Sequence, residues 1–108
     1  MSTDAIVAGP DEDDIATALE AEGATVARLN GDISRPALEE AGIVDADLYV
    51  LTDTGQATTI PIVCDLSDDI RTVVYARDTV PEFVKGQLDL ALDPQLMDVG
   101  IVADELTS

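Results

Sequence analysis

The chain has no histidine and no tryptophan, one cysteine, and five basic residues, of which only Lys85 is a lysine. Each shortage removes a class of chemistry. Without an imidazole, Ser-His-Asp and Cys-His catalysis cannot be assembled within the chain, and neither can a histidine-bearing zinc site. Cys64 has no partner for an internal disulfide. It lies in the run Ile60-Pro61-Ile62-Val63-Cys64-Asp65-Leu66, where no base adjoins it and nearby acid opposes a thiolate, so it reads as a small buried core residue. The scarcity of Lys and Arg leaves no basic stripe for a phosphate backbone or an anionic membrane surface, which argues against nucleic acid and against membrane binding. No apolar run approaches the roughly 20 residues of a membrane span. Met1-Ser2-Thr3-Asp4 carries neither the basic nor the apolar region of a signal peptide. A cytoplasmic location is therefore expected.

What is abundant is acid. There are 23 Asp and Glu, giving a formal net charge of -18, yet hydrophobic residues make up 46% of the chain, too many for a disordered segment. The 108 residues form one domain, 1–108, able to bury roughly 65% of the unfolded surface. The balance looks like the cytosolic proteins of salt-in halophilic archaea. Molar salt shortens the Debye length to about 3 Å and screens the self-repulsion of such a surface.

Short apolar runs alternate with amphipathic stretches, the pattern of a parallel α/β sheet. Five strands are expected at Asp4 to Ala8, Thr25 to Leu29, Asp47 to Thr52, Arg71 to Ala76 and Asp89 to Leu92. The central strands are nearly continuous in apolar or β-branched residues, as in a sheet covered on both faces. Helices are expected over Ile15 to Glu22, ended by Gly23, and over about Ser34 to Ala41 with Pro36 in the first turn. A third helix starts late behind Thr58, because Pro61 is tolerated only in a first turn. A fourth follows the capping box Thr79-Val80-Pro81-Glu82 and closes at Lys85-Gly86. The last opens at Asp93-Pro94 and runs towards Leu106. Short connections make 2-1-3-4-5 the simplest strand order, a small doubly wound, Rossmann-like sheet with helices on both faces.

Ligands of such sheets bind beyond the strand carboxyl ends, between strands 1 and 3. Here those loops are Gly9-Pro10-Asp11-Glu12-Asp13-Asp14 and Thr52 to Gly55. A Rossmann-type domain carries its glycine-rich phosphate loop at the first position, and four consecutive acids repel a pyrophosphate. Those acids fit a helix N-terminus through the helix dipole, or a Mg²⁺ or Ca²⁺ bridge to a phosphate. Asn30-Gly31-Asp32 is a tight turn or an adenosine-facing loop. Thr52-Asp53 is a cap or a ligand contact, and Arg77 an ion-pair partner. In the last helix Leu96, Met97, Val99, Ile101, Val102 and Leu106 spread over more than one face. That excess points to a homodimer through the C-terminal helix or to an unknown protein partner, unless a terminal helix buried on two sides accounts for it.

The run Asn30-Gly31-Asp32-Ile33-Ser34-Arg35-Pro36-Ala37-Leu38-Glu39-Glu40-Ala41-Gly42-Ile43, followed by Ala46-Asp47-Leu48-Tyr49-Val50-Leu51-Thr52-Asp53, resembles regulators of potassium conductance. These are the RCK domains, similar to the N-terminal (TrkA-N) domain of Trk-type potassium uptake regulators. The resemblance extends through Ala76-Arg77 and Leu88-Asp89-Leu90-Ala91-Leu92-Asp93-Pro94. It departs from the family in three places. The GxGxxG turn retains only Gly9, with Val7 and Glu12 at the other glycine positions. A strand-helix unit after strand 2 is missing, and Thr58 or Thr59 replaces an asparagine at the third helix.

The resemblance implies a residual nucleotide site at Gly9, Asn30, Asp32, Thr52 and Asp53, with an adenine nucleotide as the only candidate cofactor. No catalytic residue and no metal ligand is assigned. The function expected from the sequence is a noncatalytic regulatory or protein-interaction module on an RCK-like scaffold with a degenerate phosphate loop. The alternative is an adenine-nucleotide sensor linked to potassium transport.

Overall fold

The computed structural model describes residues 3–107, so the N-terminal reading at Met1 and Ser2 lies outside the described residues. Among the described residues, five parallel strands form one sheet in the order 2-1-3-4-5. They are β1 (Asp4–Ala8), β2 (Thr25–Leu29), β3 (Leu48–Leu51), β4 (Arg71–Tyr75) and β5 (Leu90–Leu92). Four α-helices accompany them: α1 (Ile15–Ala21), α2 (Arg35–Glu40), α3 (Thr59–Leu66) and α4 (Val99–Thr107).

Strand alternation sorts the core into two layers. Ala5 and Val7 of β1, Leu48 and Val50 of β3, and Val73 and Tyr75 of β4 face α1 and α4, where they meet Ile15, Leu19, Val102 and Leu106. Ile6, Ala8, Tyr49, Leu51 and Val74 face the opposite way, onto Leu38 of α2 and Ile60 and Val63 of α3. Both faces of β1, β3 and β4 are thus covered, which is why these strands read as nearly unbroken apolar runs. The buried polar groups are paired. The Tyr49 hydroxyl donates to Thr59 Oγ1 at 2.9 Å, and Thr59 Oγ1 donates to the Gln56 carbonyl at 2.8 Å. The Tyr75 hydroxyl donates to the Met97 carbonyl at 3.1 Å.

Several expected boundaries move. β3 and β5 begin one residue late, within the ordinary latitude of element ends; Asp47 and Asp89 just before them keep backbone bonds to the neighbouring strands and also turn their carboxylates onto them, accepting the Asp4 amide at 2.9 Å and the Thr72 amide at 2.8 Å. Ser34 caps α2 by accepting the Ala37 amide at 3.3 Å, and Pro36 sits in the first turn as expected. Thr58 precedes α3 without a side-chain cap; its neighbour Thr59 makes the hydrogen bonds instead.

The expected fourth helix is only a 3-10 turn, Glu82–Val84, behind an extended Pro81. Val84 is the one residue of that turn that reaches the core, too little burial to offset the cost of nucleating a full helix. The last helix starts at Val99, five residues past Pro94. Asp93 closes a separate turn, its carboxylate accepting the Gln95 amide at 2.8 Å, and Asp98 then accepts the Gly100 amide at 3.1 Å to open α4. Cys64 is only partly buried. Its thiol is pushed up by that burial and by the nearby Asp89 carboxylate.

Candidate functional site

The loops at the carboxyl ends of β1, β3 and β4 converge, and their own side chains close the gap between them. Gly9 leaves β1 at φ +104°, in the left-handed region, and its amide donates to the Leu29 carbonyl at 2.9 Å. A Cβ on Gly9 would stand 2.6 Å from Thr52 Oγ1. Thr52 in turn fastens the first loop to β3. Its amide donates to the Ala8 carbonyl at 2.9 Å, and its hydroxyl donates to the carbonyls of Ala8 and Pro10.

The four acids divide into distinct roles. Asp11 reaches over the start of α1, where its carboxylate accepts the amides of Ile15 at 2.7 Å and Ala16 at 3.2 Å. Those are the donors that an anion at the start of this helix would need, and a carboxylate already holds them. Asp14, next to the helix, makes no side-chain cap and takes a positive φ of 58°. Asp13 forms a two-pronged pair with Arg77, at 2.7 and 3.2 Å, with Glu12 on the same guanidinium at 3.9 Å. That pairing holds the Arg77 guanidinium above its ordinary value, the Asp13 hydrogen bond first among the causes. Burial raises the Tyr75 phenol beside it, with the carboxylates of Asp13 and Asp98 adding to the shift.

Two residues that sequence reasoning did not single out tie the loops together. Arg28, near the end of β2, donates to the Gly9 carbonyl at 2.8 Å, to Asn30 Oδ1 at 3.2 Å and to Asp11 at 3.2 Å. Its only signal in the sequence was a cation in a strand that ends beside an acidic loop. Gln56 accepts the Ile33 amide and donates to the Gly31 carbonyl, both at 2.8 Å, joining the loop after β3 to the loop after β2. Asp53 accepts the Gly55 amide at 2.9 Å and lies 3.4 Å from Gln56 Nε2.

Of the five expected site residues, then, Gly9 and Thr52 touch, Asn30 is drawn to Gly9 through Arg28, and Asp53 caps its own turn. Asp32 is exposed and outside this network. What stays open is a polar crevice of about 190 Å³ between Pro10, Asp13, Thr52, Ala76 and Arg77. Among the described residues no three His, Cys, Asp or Glu side chains are grouped to hold a metal ion. Asp11 serves as a helix cap and Asp13 and Glu12 as ion-pair partners, the roles that helix-dipole and ion-pair chemistry favour. No helix among the described residues is long and apolar enough to cross a membrane.

The chain belongs to the family of unknown function DUF7126, whose model matches residues 5–106. No curated protein matches the sequence. Among solved structures it is similar to a pilus assembly-related protein of Burkholderia pseudomallei, with 16% identity and a TM-score of 0.66, over 96% of this chain and 86% of the other. A pilus assembly protein, CpaE, of Burkholderia thailandensis is similar at 13% identity and a TM-score of 0.62, over 96% and 94%. A response regulator of Burkholderia pseudomallei, with a phosphorylated aspartic acid, a calcium ion and citrate, is similar at 21% identity and a TM-score of 0.67, over 97% and 71%.

These findings correct the resemblance to RCK and TrkA-N domains and the potassium link that came with it. The run that carried the resemblance is a set of local folding signals. Ser34 caps α2, Pro36 lies in its first turn, Gly42 reverses the chain at φ +89°, and a 3-10 turn, Ile43–Asp45, leads into β3. Such signals serve any doubly wound sheet that needs a short helix before its third strand. The strand-helix unit taken as missing is not required either, since the five strands already form one sheet in the order 2-1-3-4-5.

Proposed function

We propose that this DUF7126 domain is a noncatalytic regulatory module, receiver-like in architecture, that acts by binding another protein. The observation that carries the reading is the self-occupied carboxyl edge. Asp11 sits on the first amides of α1, Thr52 backs directly onto Gly9, and Asp13 clamps Arg77. An incoming phosphate would have to displace a carboxylate from the amides it needs and approach Glu12 and Asp13, an arrangement that opposes anion binding. The similar structures, two pilus assembly-related proteins and a response regulator, favour a fold used to work through partners.

The response regulator has a phosphorylated aspartic acid and a calcium ion. In this chain Asp11 and Asp53 at the carboxyl edge are engaged with backbone amides and Asp13 with Arg77, which supports a module that is not switched by phosphoryl transfer. Two measurements test the proposal together. Thermal unfolding in multimolar KCl with AMP, ADP, ATP, NAD(H), NADP(H) and S-adenosylmethionine, with and without Mg²⁺, is expected to give no ligand-dependent shift. A specific ligand at 100 times its dissociation constant would add about 2.7 kcal/mol. Intact-protein mass after incubation with acetyl phosphate and Mg²⁺ is expected to show no phosphoryl adduct. A shift with one nucleotide, or a stable adduct on an aspartate of this edge, sinks the reading.

A further inference from the structure

The two edges of the sheet are protected unequally. At one edge β2 carries Arg28, whose side chain crosses to Gly9 and Asp11. At the other, β5 is Leu90-Ala91-Leu92, three residues without a charge. Charged side chains on a strand are one protection of an exposed edge and a short strand is another, and β5 has only its shortness. Ala91 is exposed, and Leu90 and Leu92 are only half-buried.

Both sides of this strand are also thinly covered. On the α4 side a groove of about 330 Å³ runs along Leu90, Leu92, Met97 and Ile101, and Ile101 is 57% exposed. On the opposite side the short turn at Glu82–Val84 replaces a helix, leaving a crevice of about 250 Å³ between Val80, Ala91 and Leu92.

Charge selects the occupant. Asp89 and Asp93 bracket β5 directly, and Asp98 and Asp104 are exposed at and along α4, so acids outnumber Arg71, the cation lining the α4-side groove, and Arg77, which lines the opposite crevice and is already paired with Asp13. A second copy of the chain is a poor fit. Twofold antiparallel pairing of β5 on β5 centres on Ala91 and sets Asp89 of each copy opposite Asp93 of the other, two like-charge pairs between chains of net charge -18. We propose that the β5 edge docks an extended, cationic segment of a partner protein, which adds as a sixth strand, seats apolar side chains against Leu92 and Ile101, and places Lys or Arg near Asp89 and Asp93. Backbone hydrogen bonds supply the pairing, and the groove and the acids supply selectivity. This rests on the proposed role as a binding module and assigns it a surface.

The test uses the whole chain, isotope-labelled, titrated with an alternating Lys-Val peptide. An alternating Glu-Val peptide and a Lys-Val peptide with a central proline serve as controls. Amide shifts are expected at Leu90, Ala91, Leu92 and Ile101 with the Lys-Val peptide, weakening as KCl is raised. Binding is expected to fall by at least about tenfold with the proline peptide, which cannot complete a ladder, and to be undetectable with the Glu-Val peptide. The exposed substitutions Ile101→Glu and Ala91→Lys, made separately, test the groove and the charge without entering the core.

Equal binding by the proline peptide overturns the proposal, as do shifts centred on residues 11–14. A concentration-dependent dimer by sedimentation, dissociated by Ile101→Glu, assigns the edge to a second copy and overturns it as well. Failure of the module reading has a different signature, a nucleotide-induced shift at Gly9, Thr52 and Arg77.

Discussion

Gly9 and Thr52 meet across the carboxyl ends of β1 and β3, with no room between them for a side chain: a Cβ on Gly9 would lie 2.6 Å from Thr52 Oγ1 and 3.2 Å from the Asp53 amide nitrogen. In a sheet of this order that gap is the ordinary ligand crevice. Here the Thr52 hydroxyl, bonded to the Ala8 and Pro10 carbonyls, spends it on fastening the first loop to the third strand.

Gly9→Ala is therefore a stability variant. It places a Cβ at φ +104° and against Thr52 at once, and is expected to destabilise the domain by about 2 kcal/mol. Denaturant unfolding in multimolar KCl measures this. Combining it with Thr52→Ala should recover part of the loss, because the steric portion disappears while the backbone portion stays. No recovery would mean that the contact is relieved by loop movement.

Asp11→Ala removes a helix cap and the partner of Arg28. The expected loss is about 1–2 kcal/mol, whereas Asp14→Asn, which keeps a residue tolerant of the positive φ of 58° at a position with no side-chain cap, should change stability by less than about 0.5 kcal/mol. A double-mutant cycle of Asp11 with Arg28, whose pair is partly exposed, should give a coupling below about 1 kcal/mol. Equal losses at Asp11 and Asp14 would contradict the assignment of the cap.

The alkaline limb of the stability curve should carry a contribution from Tyr49. Burial pushes its phenol from 10.0 up to about 12, partly opposed by the Thr59 hydrogen bond. The unfolded chain then ionises this group before the folded one does. The contribution is complete below the unfolded value of 10.0 and is lost as pH rises through the folded value of about 12. Tyr49→Phe should cost about 1 kcal/mol at neutral pH and flatten the fall of stability in that window. Ultraviolet titration of phenolate alongside unfolding at each pH checks both parts; an unchanged alkaline slope would remove Tyr49 as its source.

Salt should stabilise the domain. The charge of -18 is spread over a surface whose acids far outnumber the available basic partners, so screening relieves repulsion that dilute buffer leaves in place. The melting temperature is expected to rise from low to multimolar KCl, and NaCl should act similarly. The surface pairs of Arg77, Arg35 and Lys85 weaken in the same salt and take back little, since solvent already screens exposed pairs. A melting temperature that falls with KCl would mean that these pairs outweigh the repulsion.

Much of this architecture is legible in the amino-acid order. The runs at β1 and β2 appear residue for residue, since two-sided burial of β1 and the turns around β2 leave one reading. Ser34 with Pro36 marks α2, and Gly9 with the acids marks the loop where a phosphate site would lie. The segment from Thr79 to Gly86 misleads because its capping pattern is a local preference, while a helix also needs enough apolar surface to bury, and only Val84 in its turn reaches the core. Asp93 and Asp98 offer equivalent starts for the last helix, and only packing of α4 beside α1 selects the second. The family resemblance at Asn30 to Asp53 misleads in another way, because caps, prolines and turn glycines report local geometry that unrelated α/β domains share.

The sequence by itself determined the strand count and order, the two-layered core and the absence of imidazole chemistry, because hydrophobic period, short connections and composition act locally or additively. Tertiary structure decided what the acids do. Which carboxylate caps α1, which one holds Arg77, and that Arg28 and Gln56 sew three loops together depend on distances between residues up to 64 positions apart in the chain. The pairing of charges across such separations is set by strand register and loop path, and neither is written in any one segment.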